Sequence, residues 1–386
     1  MTSASEPTQR PPDAKLLVID KYGGMTHMRR TSFASLLLPG DLVVANDATA
    51  LPASLRGVHA ATGCPVEVRL AGHHSLDEMR DFTAVVFGAG DFRWRTEDRP
   101  APPRLKPGDR LTLGPLSATI ERLLDHPRLV DLHLDGSPDA IWAGLARHGR
   151  PIQYAYVPVA LELWDAWPPI AARPVAFEPP SAGFALDWRL VEAIRARGAA
   201  FVTITHTAGI SSTGDLELDR KLPFDEPYRI SRSTAAAVES VGARGGRIIA
   251  IGTTVVRALE HAASPEGRVS AGDGLATQRI GPASRLRIVD AILTGVHEAG
   301  TSHHQLLEAF ADAATLRRAE KELDAMGYRT HEFGDSVLIE RKAPLRGAYE
   351  LDPCLKAIGH PGERELLGAR AGHAPVQVDG LPDAFD

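Results

Sequence analysis

The sequence predicts a mostly parallel α/β main domain with an inserted small β-barrel domain, on three observations. Beyond about residue 180, apolar strand-like runs alternate with amphipathic helical patterns, which is the signature of a largely parallel sheet. Between about residues 57 and 149 the pattern changes to short β-like stretches with closely spaced turn signals and no long helical pattern. Two strand-like runs precede that stretch, so the β region interrupts the α/β domain. The expected boundaries are a flexible tail over 1–14, the α/β domain over 15–57 and 150–342, the β-barrel over 58–149, and an irregular tail rich in proline and glycine over 343–386.

Lys15 to Asp20 (KLLVID) and Leu42 to Ala45 (LVVA) are short apolar runs bounded by turn residues, and Pro39-Gly40-Asp41 turns the chain between them. Within the inserted region Val66–Leu70, Thr83–Phe87, Leu111–Leu113 and Leu129–Leu134 read as strands, with a second Pro-Gly-Asp turn at Pro107. Asp187 caps a helix through Arg197 that carries Leu190, Val191 and Ile194 on one face; Gly198 stops it and Phe201–Ile204 follows as a strand. Ser233–Ala243 is the next helix, stopped by Gly245-Gly246, and it leads into the strand Arg247–Ile251 and a helix through Val255–His261. Arg287–Leu293 is a further strand, after which Ser302 and Gln305 fit a capping box at the start of a helix. Thr315–Met326 sets Leu316, Ala319, Leu323 and Met326 on one stripe before Gly327, and Ser336–Glu340 is the last strand.

Composition narrows the function classes. The chain has 386 residues, 44% of them hydrophobic and 24% charged, which is the balance of a globular protein with a sizeable core. Its formal net charge of -6 excludes a protein that holds nucleic acid by blanket phosphate neutralisation, so any such contact must come from a local patch. The best candidate is Phe92–Arg110, with Arg93, Arg95, Arg99, Arg104, Lys106 and Arg110 around Trp94. Its plainer reading is a solvated hairpin diluted by Glu97, Asp98 and Asp109. With only Cys64 and Cys354, and no Cys-x-x-Cys pair, a disulfide framework or zinc ribbon is not expected. No signal pattern or apolar run of about 18 residues is found, so the expectation is a cytoplasmic protein without a membrane segment.

Three strand-to-helix corners could carry chemistry. In Gly245–Glu260 (GGRIIAIGTTVVRALE) a buried strand ends at Gly252, and Thr253, Thr254 and the first helical N–H groups share one space, with Arg257 a turn further on. Such a corner suits a phosphate, carboxylate or ribose hydroxyl; the alternative is a simple helix cap and a surface ion pair. The corner Ile204–Gly209 offers His206, Thr207 and Gly209, small or titratable groups that suit close backbone approach to a ligand. The corner Thr294–His304 holds three histidines, but their spacing does not suit a metal, so no metal site is expected and His297 is read as an acid or base. Pro179-Pro180-Ser181-Ala182-Gly183 is a rigid loop of small residues, and Gly334-Asp335 lies between an extended piece and a strand.

In this order the pieces resemble the S-adenosylmethionine:tRNA ribosyltransferase-isomerase family of queuosine biosynthesis. The matching segments are LLLPGDLVVAND with ATALPASL, PVEVRL at Pro65–Leu70, PPSAG at Pro179–Gly183, GGRIIAIGTTVVRALE, IVDAILTGVH at Ile288–His297, and YRTHEFGDSVLI at Tyr328–Ile339. The chain departs from the family pattern at Asp47-Ala48-Thr49, Ser54 and Ala185, and at Leu222–Glu226, where only the glutamate is kept, which marks a diverged member. The resemblance implies transfer and isomerisation of the ribosyl moiety of S-adenosylmethionine onto a 7-aminomethyl-7-deazaguanine in tRNA, giving epoxyqueuosine with release of adenine and methionine. S-adenosylmethionine is then a substrate, tRNA the acceptor, and no cofactor is needed. Because a sulfonium acidifies the neighbouring C5′–H, the site needs a base there and an acid for adenine. Under this resemblance His206, His297, Asp335 and Glu226 are the expected catalytic groups. Ser181, Gly183, Thr207, Gly209, Thr253, Thr254 and Arg257 are the expected substrate-binding ones. The alternatives are a related enzyme with a small-molecule acceptor and a non-catalytic RNA- or nucleotide-binding relative.

Overall fold

Apolar side chains on both faces put Leu42–Asn46 and Ile248–Ile251 at the centre of the main sheet. Leu42, Val44, Ile248 and Ala250 pack into one core with the helices Arg232–Ala243, Thr253–Ala262 and Ala313–Ala325. Val43, Ala45, Ile249 and Ile251 pack on the opposite side against the helix Trp188–Ala196. A strand covered on both faces is apolar along its buried run, which is why Leu42–Ala45 and Ile248–Ile251 show no alternation, whereas the buried Asn46 at the rim has its amide satisfied by the backbone of His206 and Ala48. The computed structural model describes residues 1–342; the tail expected over 343–386 lies outside the described residues.

The main sheet has nine strands in the order Gly272–Ala276, Glu226–Ile230, Ala200–His206, Leu42–Asn46, Ile248–Ile251, Ala291–Gly295, Ser336–Glu340, Lys15–Ile19, Met25–Arg29. Ala200–His206, Leu42–Asn46, Ile248–Ile251 and Ala291–Gly295 run parallel, and antiparallel pairs extend the sheet on either side. The carboxyl ends of the four parallel strands therefore open on one rim, where ligands bind in such sheets.

Six antiparallel strands, Ser54–His59, Pro65–Gly72, Asp81–Phe87, Arg110–Leu113, Leu116–Leu123 and Leu129–Leu134, close into a barrel filled by alternate apolar residues such as Leu55, Val68, Val86, Leu111, Ile120 and Leu132. The helix Pro138–His148, which the sequence reading did not anticipate, plugs it: Ile141 and Leu145 join the barrel core. Gly144 sits so close that a Cβ would fall 2.3 Å from Leu116. Where the chain enters and leaves the barrel, Ser54 and Arg150 exchange two backbone hydrogen bonds of 2.9 Å.

Three local expectations are corrected. Residues 1–14 were expected as a flexible tail, yet Thr2–Ser3 pairs in parallel with Arg329–Thr330 and Ala4 is buried. The helix Ser302–Leu307 is capped by Thr301, whose hydroxyl accepts from His304 N, so Ser302 and Gln305 form no capping box. The strand expected from Arg287 starts only at Ala291, because the Glu260 carboxylate accepts the backbone N–H groups of Arg287, Ile288 and Val289.

Candidate active site

The rim of the parallel strands opens into a cavity of about 660 Å³. Its floor is the corner after Ile251. Gly252 takes φ +94°, a conformation that glycine adopts freely, and a Cβ there would meet Ala182 at 3.1 Å. Among the described residues no side chain caps the helix Thr253–Ala262, which leaves its first-turn N–H groups without a side-chain acceptor there, and both Thr253 and Thr254 line the cavity. Ser181 and Gly209 also line it, as does His297 from the end of Ala291–Gly295.

His297 hydrogen-bonds Thr294 Oγ1 at 2.8 Å and stacks on His303, with ring centroids 4.7 Å apart and planes 10° from parallel. Desolvation in the cavity wall, helped by the neighbouring histidines, holds His297 well below the usual imidazole range; desolvation and the Arg257 charge bring His303 down to about 4. Both rings are neutral at pH 7 and offer a flat aromatic face. His304 turns away and pairs with Glu320. Among the described residues no group of three or more His, Cys, Asp or Glu side chains is arranged to hold a metal ion.

Behind the floor lies a buried cluster. Arg257 donates to Glu226 and to the carbonyls of Phe224, Ala276 and Gln278, so its guanidinium is engaged by protein groups; it lines a small cavity of about 60 Å³ with Gly209, Thr253, Thr254 and His303 and does not line the large one. Burial lowers it to about 10, still charged at neutral pH. The other Glu226 oxygen accepts from Gly209 N at 2.6 Å, and a Cβ on Gly209 would stand 2.8 Å from that oxygen. Glu226 thus braces the loop that lines the cavity. His206 is wholly buried with Nε2 3.5 Å from Glu226, and burial and the Arg257 charge keep it neutral. It does not reach the cavity.

Three other expected residues lie off the cavity wall. Thr207 is buried, with its backbone N–H bonded to Pro227. Gly183 packs on Pro168. Asp335 accepts the backbone N–H groups of Lys15 and Arg329, each at 2.8 Å, and its buried carboxylate knots the base of the turn that carries His331 and Glu332. It shapes the site without touching it. Of the basic patch, Arg93 pairs with Asp91, Arg95 with Glu97 and Arg110 with Asp135 on the surface, while Arg99 is withdrawn from it, buried against Glu67 and the carbonyls of Gly88 and Ala89.

The wall that the sequence reading missed is aromatic and acidic. Tyr154 and Tyr156 stack at 5.9 Å, and Tyr156 stacks on His331 at 4.0 Å. Tyr154 donates to Glu178 and Tyr156 donates to Glu332. His331 has φ +70°, the one non-glycine positive φ among the described residues, and such strain gathers at functional sites. The signal available in the sequence was an acid, Glu178, set between the apolar Val175-Ala176-Phe177 and the Pro179-Pro180 pair. Arg95 and Glu97 from the barrel reach the same cavity, and Gly214 packs against their loop.

A family model described as a queuosine biosynthesis protein matches residues 1–339. A Sorangium cellulosum protein named S-adenosylmethionine:tRNA ribosyltransferase-isomerase is 34% identical over 365 residues, covering 87% of this chain and 94% of its own. A Citrifermentans bemidjiense protein of the same name is 32% identical over 345 residues, covering 87% and 95%. A crystal structure of the Thermotoga maritima S-adenosylmethionine tRNA ribosyltransferase aligns over 88% of this chain and 95% of its own, at 21% identity and a TM-score of 0.45.

Proposed function

The chain belongs to the queuosine biosynthesis protein family, and on that premise we propose that it transfers and isomerises the ribosyl moiety of S-adenosylmethionine onto 7-aminomethyl-7-deazaguanine in tRNA, giving epoxyqueuosine and releasing adenine and methionine. The observation that carries this reading is the cavity at the ends of the parallel strands, whose two sides differ in chemistry as the substrate does. The first-turn N–H groups and hydroxyls at Thr253 and Thr254 suit ribose hydroxyls or the methionine carboxylate. The neutral His297–His303 stack suits the flat adenine ring. The acidic and aromatic wall of Tyr154, Tyr156, Glu178 and Glu332 suits the sulfonium cation. S-adenosylmethionine enters as a substrate, and the reading needs no cofactor beyond it.

Tyrosine-held carboxylates near a sulfonium raise its local concentration and orient C5′ towards the wall. The Gly209 loop, braced by Glu226, closes the opposite side. For the acceptor, the barrel loop with Arg95 and Glu97 faces the same opening, so a tRNA base would enter between barrel and sheet. A tRNA acceptor places the reaction in the cytoplasm, and no helix among the described residues is long and apolar enough to cross a membrane.

The test is to incubate the protein with S-adenosylmethionine, with and without tRNA bearing the aminomethyl-deazaguanine base, and to follow adenine and methionine. Release that depends on the tRNA is expected. Release that ignores the tRNA would make a small molecule the acceptor, and absence of S-adenosylmethionine binding by calorimetry would overturn the enzymatic reading.

A further inference from the structure

Among the buried glutamates, Glu178 stands apart by its partners. Glu67 faces Arg69 and Arg99, Glu226 faces Arg257, and Glu260 accepts three backbone N–H groups. Glu178 is only 7% exposed, lines the cavity, and among the described residues forms no ion pair. Its hydroxyl donor is Tyr154, held in turn by Ser212 N and by the Arg69 guanidinium 5.6 Å from its ring. The backbone leading into Glu178 is fixed, since Phe177 N and Glu178 N both donate to Ala208 O. A carboxylate taken out of water without a cation is costly unless a cation or a proton arrives.

Resting on the S-adenosylmethionine reading above, we propose that Glu178 is the base that removes the C5′ proton beside the sulfonium, with Tyr154 as its positioning residue. In that step the C5′–H bond breaks, the proton goes to a Glu178 carboxylate oxygen, and the bonding electron pair stays on C5′ next to the positive sulfur. A carboxylate and a sulfonium become a neutral carboxylic acid and a net-neutral ylide. Because opposite charges vanish together, a poorly hydrated wall favours the transfer that water would oppose. The histidines named earlier do not offer this: His206 does not reach the cavity, and His297 and His303 are held weakly basic by desolvation.

Burial pushes Glu178 up to about 7; Tyr154 and Ser211 oppose the rise and the Glu332 charge adds to it. Tyr156, His331, His297, His303, Arg95 and Glu97 line the remaining walls. The base works as the carboxylate, so adenine release rises with pH to a plateau above about 7. Losing the Tyr154 hydroxyl removes a hydrogen bond to the charged form, so the rising limb moves to higher pH.

The experiment measures single-turnover adenine release from S-adenosylmethionine, unlabelled or deuterated at C5′, with acceptor-bearing tRNA between pH 5.5 and 9. It compares wild type, Glu178→Gln and Tyr154→Phe, with S-adenosylmethionine affinity from calorimetry. The expected result is that Glu178→Gln binds S-adenosylmethionine within about tenfold of wild type and releases adenine about 10²–10⁴-fold more slowly. Tyr154→Phe keeps turnover at high pH with its limb displaced upwards. Wild-type release by Glu178→Gln, or an unmoved limb in Tyr154→Phe, overturns the assignment while leaving the enzymatic reading intact. A wild type that binds no S-adenosylmethionine overturns both.

Discussion

Removing Arg257 should cost the protein stability rather than affinity for a ligand. The guanidinium and the Glu226 carboxylate are both less than 10% exposed, and three backbone carbonyls complete the arginine's partners, with the Ala276 oxygen at 2.8 Å. Arg257→Met leaves Glu226 charged in a buried site, and breaking such a pair costs about 3–5 kcal/mol. Against a typical total stability of about 5–15 kcal/mol this is a large fraction. Pairing it with Glu226→Gln removes the stranded charge, so the double variant should be no less stable than Arg257→Met alone. That makes the two sites non-additive by about 1.5 kcal/mol or more. Urea denaturation at pH 7 of wild type, both single variants and the double variant measures this. Additivity within about 0.5 kcal/mol would refute the argument. So would an Arg257→Met protein of wild-type stability that has lost affinity for S-adenosylmethionine, since the guanidinium would then face the ligand.

Three further outcomes are expected. His206, His297 and His303 bind protons more weakly folded than unfolded, so the stability they contribute is complete above about pH 6.5 and falls as the pH drops towards 4; melting temperatures across that window should decline. Gly209→Ala places a Cβ 2.8 Å from Glu226 Oε1, and the forced shift should cost about 1–3 kcal/mol and slow adenine release, which chemical denaturation and turnover assays would show. Arg99→Met should destabilise the barrel by removing one of the two arginines that hold Glu67, yet leave the slope of log tRNA affinity against log salt unchanged; a slope lower by about 1 would mean Arg99 touches a phosphate.

The central strands were legible because burial on both faces demands unbroken apolar runs, and Leu42–Ala45 and Ile248–Ile251 show them. Caps were legible where a short polar side chain binds a local N–H, as Asp187 does with Leu190. The strands Ser54–His59 and Leu116–Leu123 escaped notice, since barrel closure rather than local pattern defines them, whereas the helix Pro138–His148 had a local signal that was overlooked, the Ser137 cap with Pro138 in its first turn. At the site, Thr253 and Thr254 follow from chain order alone. Tyr154, Tyr156 and Glu178 do not, because residues 150–178 carry little periodicity. Their course is set by long-range or irregular bonds, such as the Gln153 side chain binding Val157 O, Val159 O and Leu161 N. Asp335 was recognised as notable, but its buried bonds to Lys15 and Arg329 make it architecture rather than chemistry.

The paired hydrogen bonds between Ser54 and Arg150 set how freely this molecule can change its length. To the sheet, the chain leaves and returns as it would through a tight hairpin, whatever lies beyond. Loop-closure entropy grows only with the logarithm of the intervening length, so lengthening the barrel's outer loops barely disturbs the register of Leu42–Asn46. Arg95 and Glu97 sit on one such loop. The side of the cavity that this loop lines is thereby open to change by insertion and deletion, while the walls built from the sheet keep their geometry.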